Sequence, residues 1–243
     1  MSLKYEKFLL FGDSITQFAF NTKMDDNKPD QFSLGAALVN AYTRRLDIVQ
    51  RGFSGYNTRW ALKLLPRILE NESPGIVMST LYFGSNDACH GGHQKVELPE
   101  FKDNVKRLLD LFKSKGIKPI LVGPALFDKD NWNPKKADEV AQGYVRSNEN
   151  NKLYSDALQE IADKEQIPFV NLYDAFSREG GSEWRDLLCD GLHYTGKGYE
   201  IFYNELMKAI RTHYPELAPE SLPFKYPEWR QISESGDEIE GYS

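Results

Sequence analysis

The sequence predicts an α/β fold, a parallel sheet with helices on both faces. Two observations carry that expectation. Five short, continuous apolar runs punctuate the chain, and each reads as a strand covered on both faces. Stretches of helical periodicity separate these runs, and alternating strands and helices imply a parallel sheet between helical layers. No internal repeat or low-complexity linker breaks the alternation. The expected organisation is one domain over residues 1–213, followed by a C-terminal extension over 214–243.

Phe8–Phe11 is the first strand. Gln31–Arg45 is helical, with Leu34, Leu38 and Tyr42 recurring at helical spacing, and Leu46–Gln50 is the second strand. Thr58–Glu70 is a second helix, which Pro66 is expected to kink or divide because proline lacks a backbone N–H. Ile76–Phe83 is the third strand. The clearest helix is Pro99–Lys115, where Phe101, Val105, Leu108, Leu109 and Phe112 form one stripe and Gly116 sits at the stop. Ile117–Val122 is the fourth strand. Gly123–Tyr144, rich in Asp, Asn, Pro and Trp, reads as a long irregular loop of the kind that often carries function. A helix over Asn148–Lys164 places Leu153, Ala157, Leu158 and Ile161 on one face. Pro168–Leu172 is the fifth strand and Gly198–His213 the last helix. Beyond Tyr214 the chain turns to Pro, Glu and Ser. Phe224, Tyr226 and Trp229 there point to packing on its own core or on a partner subunit.

The chain has 243 residues, 40% apolar and 27% charged, as in an ordinary globular protein. A net charge of -6 without a dense basic stripe argues against nucleic-acid and anionic-membrane partners. Two cysteines, Cys89 and Cys189, are too few for a secreted disulfide framework and point to a reducing compartment. The longest apolar stretch, Gly75–Phe83, is too short to span a bilayer. Phe8–Phe11 is too brief for a signal peptide and lies beside Glu6 and Lys7. A cytoplasmic location is expected.

Three short blocks hold the chemistry: G-D-S at Gly12–Ser14, G-S-N-D at Gly84–Asp87 and D-G-L-H at Asp190–His193. They offer a hydroxyl nucleophile, an amide donor, and a base with a carboxylate three residues away. In open parallel sheets ligands bind beyond the carboxyl ends of the strands, where these blocks fall. Taken alone, Ser14 is more often a helix N-cap, Asn86 an Asx-turn residue, and His193 a surface loop histidine. Their order and placement make the set far more specific than any member. Asp13 reads as a turn residue, and Asp87 as one that orients its own turn. Gly52-Phe53-Ser54-Gly55 follows the second strand, either as a plain turn or as backbone that approaches a ligand closely. Cys89, His90 and His93 cluster in a Gly-rich loop but lack a fourth ligand at a usual zinc spacing. A dinuclear metallophosphatase would want Asp-x-His on the first strand, which is absent. No metal and no cofactor is expected.

G-D-S-I at Gly12–Ile15, the glycine block ending at Gly55, G-S-N-D at Gly84–Asp87 and D-G-L-H at Asp190–His193 resemble the four blocks of the SGNH (GDSL) hydrolases, over the stretch Phe8 to His213. In closer detail F-L-L-F-G-D-S-I-T, R-G-F-S-G-Y, R-W-A-L-K and D-G-L-H-Y-T-G-K-G-Y look like the fungal members that hydrolyse small acetate esters. The resemblance implies a three-layer, flavodoxin-like αβα sandwich with strand order 2-1-3-4-5. It implies Ser14 as nucleophile, His193 as general base and Asp190 as third triad member, with an oxyanion hole of the Ser14 N–H, the Gly55 N–H and the Asn86 side chain. Gln17 stands where many relatives carry Glu. The G-x-S-x-G elbow of α/β-hydrolases is absent. The implied substrate is a small-molecule ester such as an acetate of a medium alcohol. Phe18, Phe20, Phe127 and Trp132 lie in segments placed to line an apolar alcohol pocket, although core packing accounts for them equally. Sugar acetylesterase and lysophospholipase activities use the same triad, and a non-catalytic interaction module is the structural alternative. Family precedent and the aromatic tail both allow a homodimer.

Overall fold

Alternation along the strands sorts the side chains between two cores. In the computed structural model, which describes residues 4–24 and 29–241, the strands are β1 (Glu6–Gly12), β2 (Leu46–Gly52), β3 (Ile76–Tyr82), β4 (Lys118–Gly123) and β5 (Phe169–Asn171). All pair in parallel, in the order β2-β1-β3-β4-β5. Successive strand residues face opposite ways. Phe8 and Leu10 of β1 therefore join Met78, Ile120 and Val170 in one core, while Leu9 and Phe11 join Leu81 and Leu121 in the other. The helices α2 (Leu34–Ala41), α8 (Leu172–Gly180) and α9 (Gly196–His213) cover the first face. The helices α3 (Thr58–Glu72), α4 (Leu98–Ser114) and α7 (Asn148–Glu165) cover the second. The sandwich and its strand order match the sequence expectation.

Several local expectations need correction. Pro66 neither ends nor divides α3, which runs through it as one helix to Glu72. Pro66 is exposed, so the carbonyl that loses its donor there can be hydrated instead of buried. Residues 123–144 are not all irregular. They form α5 (Lys129–Lys135), with the Asp128 side chain accepting from Asp130 N, and the single-turn α6 (Ala137–Ala141). The turn-rich composition hid α5, which is anchored by one buried residue, Trp132. The helix read over 31–45 begins at Leu34, where Ser33 Oγ accepts from Ala36 N, and stops at Ala41. The sequence pattern also missed α8 and the 3-10 segment Gly181–Leu187.

The C-terminal segment lies along the corner where α2 meets β2. Tyr42 donates to the Leu217 carbonyl at 2.9 Å, Arg45 to the Leu222 carbonyl at 2.9 Å, and Arg44 to the carbonyls of Tyr226 and Pro227 at 2.7 and 2.9 Å. Both guanidinium groups lie over the Phe224 ring, at 4.6 and 4.2 Å from its centroid. Trp229 is 71% exposed. No described helix is long and apolar enough to cross a membrane.

Candidate active site

β1 delivers its C-terminal end directly into α1 (Ser14–Gln17), a single helical turn. The N-cap of that turn is Asp13, whose Oδ1 accepts from Ile15 N at 3.0 Å, so Ser14 is the first helical residue and its hydroxyl is free for other work. Glycine is required beside it. A Cβ at Gly52, at the end of β2, would stand 2.0 Å from the Gln17 backbone nitrogen. Gln17 Oε1 accepts from Ser54 N at 2.8 Å and binds the block after β2 to α1.

The loop before α9 brings the base. Asp190 Oδ1 accepts from the backbone N–H of Leu192 at 2.9 Å and of His193 at 2.8 Å. Its Oδ2 accepts from His193 Nδ1 at 2.7 Å. A carboxylate only accepts, so Nδ1 carries the hydrogen and Nε2 is left to accept from Ser14 Oγ, 2.9 Å away. Burial pushes the Asp190 carboxyl up, but the ring and backbone N–H donors and the imidazole charge outweigh it and hold it below its ordinary value. Asp190 therefore remains an anion that can steady an imidazolium.

Across from this chain, Asn86 is 3% exposed. Its Nδ2 donates to the Tyr56 carbonyl at 2.9 Å, and its Oδ1 accepts from Arg146 Nη2 at 2.9 Å. Gly55 takes φ +79°, a left-handed backbone that favours glycine. Its carbonyl accepts from Gln94 Nε2 at 2.8 Å. The Ser14 and Gly55 N–H groups have no hydrogen-bond acceptor among the described residues.

Phe18 meets the His193 ring edge-on at 5.3 Å between centroids, and Trp132 meets it tilted at 5.9 Å. Phe127 stands behind Trp132, and with Leu192 these two form a small cluster apart from both main cores. Phe20 packs on Gly35 and is 39% exposed.

Asp87 does more than shape its own turn. Its Oδ1 accepts from Thr58 N at 2.9 Å and from the Thr58 hydroxyl, which fixes the N-terminus of α3. Burial pushes both Asp13 and Asp87 up to about 7. The Cys89, His90 and His93 group is dispersed: His90 Nε2 pairs with Ser147 Oγ at 3.1 Å and His93 with the Tyr144 hydroxyl. Among the described residues no cluster of three or more His, Cys, Asp or Glu is arranged to hold a metal. Sequence reading missed Arg146 and Gln94 altogether. Each is a lone polar residue outside any motif, and no spacing signal marks it.

A hydroxyl that can pass its proton to an oriented imidazole, with amide donors at the same strand ends, supplies what attack on a carboxylic ester needs. The protein is a carboxylic ester hydrolase. Residues 10–201 match the model of the GDSL-like lipase/acylhydrolase family, and the chain belongs to that family. It is 54% identical over 237 residues to the isoamyl acetate-hydrolyzing esterase of Saccharomyces cerevisiae, covering 98% of this chain and 99% of that one. It is 33% identical to the isoamyl acetate-hydrolyzing esterase 1 homolog of Bos taurus, over 98% and 92% of the two chains. Among solved structures, the lipase/acylhydrolase from Enterococcus faecalis superposes with a TM-score of 0.65 at 22% identity, covering 91% of this chain and all 100% of that one.

Proposed function

We propose that the protein hydrolyses short-chain carboxylic esters, acetates of medium alcohols such as isoamyl acetate foremost, through an acyl-enzyme on Ser14. The observation that carries this reading is the unbroken relay Ser14 Oγ to His193 Nε2 at 2.9 Å and His193 Nδ1 to Asp190 Oδ2 at 2.7 Å. The likeness to the yeast and bovine proteins supports the choice of ester.

In the first half-reaction Ser14 Oγ attacks the ester carbonyl carbon while His193 Nε2 takes the hydroxyl proton. The carbonyl oxygen becomes an oxyanion held by the Ser14 N–H, the Gly55 N–H and the second N–H of Asn86 Nδ2. Collapse breaks the bond to the alkoxy group, which leaves as the alcohol with the proton from His193. Water then attacks the acyl-enzyme by the same route, giving the carboxylic acid and restoring Ser14. Phe18 and Trp132, both in ring contact with His193, line the apolar part of the substrate pocket, with Phe127 against Trp132. The segment after Tyr214 acts as an extension packed on the hydrolase domain, a reading supported by its bonds to Arg44 and Arg45.

The test compares p-nitrophenyl acetate, butyrate and octanoate with Ser14→Ala as the blank. Activity greatest on acetate, falling with chain length and absent in a normally melting Ser14→Ala, is the expected outcome. Retained turnover in Ser14→Ala overturns the acyl-enzyme, and a preference for octanoate moves the substrate to lipids.

A further inference from the structure

Arg146 lies between the last turn of α6 and the start of α7 and is only 5% exposed. Its Nη2 donates to Asn86 Oδ1 at 2.9 Å and to Gln94 Oε1 at 3.0 Å. Its Nε and Nη1 are buried without a hydrogen-bond partner, and no carboxylate forms an ion pair with it among the described residues. The guanidinium sits over the Trp132 ring, 5.4 Å from its centroid. Core packing does not account for such a residue. A buried cation without a counter-ion is costly, and an apolar side chain would cover Trp132 without that cost.

From this arrangement we infer that Arg146 is a positioning residue for ester hydrolysis, whose guanidinium fixes the Asn86 amide and the Gly55 turn in the geometry that receives the oxyanion. The inference rests on the reading of Asn86 and Gly55 as oxyanion donors. Asn86 stands between a neighbour that only donates, the guanidinium, and one that only accepts, the Tyr56 carbonyl. Turning the amide over would set donor against donor and acceptor against acceptor, so its orientation is locked. One hydrogen of Nδ2 goes to Tyr56, and the other is left for the substrate. A charged donor on the amide oxygen also polarises the amide and strengthens that remaining N–H. The second arm runs through Gln94, whose Oε1 accepts from Arg146 and whose Nε2 donates to the Gly55 carbonyl at 2.8 Å. One nitrogen, Nη2, therefore ties together two of the three donors.

A double-mutant cycle on the full chain, read by steady-state hydrolysis of p-nitrophenyl acetate, tests this. Arg146→Met keeps an apolar stem against Trp132 and removes the charge and the donors. Arg146→Met is expected to lower kcat by about 10-fold or more, within the ~10²–10³ that loss of an oxyanion donor itself costs. KM should move much less, because the donors that Arg146 positions act on the charge that develops only in the transition state. In an Asn86→Ala background the same substitution should cost far less than in the wild type. Arg146→Lys, which keeps a charge and a donor, should recover part of the rate. An unchanged kcat in Arg146→Met, or an equal fold-loss in both backgrounds, overturns the inference while Asn86 keeps its role. An Asn86→Ala variant as fast as the wild type instead overturns the oxyanion reading, and the inference with it. Thermal melting accompanies each variant. If Arg146→Met does not fold, the cycle of Arg146→Lys with Asn86→Ala decides by the same coupling.

Discussion

On one side of the site Asp190 and His193 share a single loop, three residues apart, and need only the end of β1 to complete their chain to Ser14. On the other side Gly55, Asn86 with Gln94, and Arg146 arrive from three segments, and each is held by another. The first side is set by local geometry: Asp190 accepts two backbone N–H groups of its own loop and one ring N–H. The second is set by tertiary packing and exists only once the sheet and α7 are in place. In the proposed mechanism, then, proton transfer and charge stabilisation depend on different scales of structure. Substitutions on the first side should damage chemistry with little effect on fold, whereas those on the second should be coupled to one another.

The largest expected effect tests the local side. Asp190→Asn keeps an oxygen to accept from Leu192 N and His193 N but can present an N–H to His193 Nδ1, which favours the wrong ring tautomer. By analogy with triad carboxylates elsewhere, kcat should fall by about 10⁴, with a smaller loss of melting temperature at neutral pH, where the ionised Asp190 stabilises the folded loop. Loss of less than about tenfold would mean that Asp190 does not orient His193. The folded-state Asp190 carboxyl lies below its ordinary value, so its contribution to stability is present above the ordinary carboxylate range and is lost as pH falls through the folded value.

Trp132 joins the two sides, since its ring flanks His193 and carries the Arg146 guanidinium. Its cluster with Phe127 and Leu192 is separate from the two main cores, which favours a pocket wall over a structural filler. Trp132→Ala should raise the ratio of octanoate to acetate hydrolysis by about 10-fold or more, since each methylene in an apolar pocket changes a barrier by ~1–3 kcal/mol. A ratio equal to that of the wild type, measured as kcat/KM on the p-nitrophenyl series, would remove Trp132 from the pocket.

The same contrast explains what could be read from the sequence. The strands were legible because burial on both faces leaves continuous apolar runs, as in Phe8–Phe11 and Ile76–Phe83. Asp190, His193 and Ser14 stood out because their blocks are short and contiguous. Arg146 and Gln94 left no trace, because their meaning lies in contacts with Asn86 and Gly55 across 60 and 39 positions. Pro66 misled because a proline's cost in a helix depends on which face it occupies, and that face is known only after the helix has docked. α5 was hidden because one buried Trp132, and not a periodic stripe, holds it.

Asp13 is where the two sides meet. As the N-cap of α1 it is fully buried, and it is influenced electrostatically by His193, Asp87 and Arg146. Burial raises its carboxyl from 3.8 to about 7, against the pull of the Ile15 N–H and of the His193 and Arg146 charges. Below pH 3.8 the folded and unfolded chains both hold this proton. Between 3.8 and about 7 the unfolded chain releases it while the native protein keeps it, so stability falls as pH rises through that window and is level above it. Asp13→Asn retains an oxygen to accept from Ile15 N and has no proton to lose. Relative to the wild type, the variant should therefore gain several degrees in melting temperature between pH 4.5 and pH 8, the scale on which ~1 kcal/mol or more appears in a chain of this size. The difference between the two proteins matters more than either melt alone, because Asp190 and the surface pairs contribute equally to both and only the mutual influence of Asp13 and Asp87 changes with the substitution. Parallel melting curves across that range would show that Asp13 is already ionised in the native protein. The two sides of the site would then be coupled electrostatically as well as joined through Trp132.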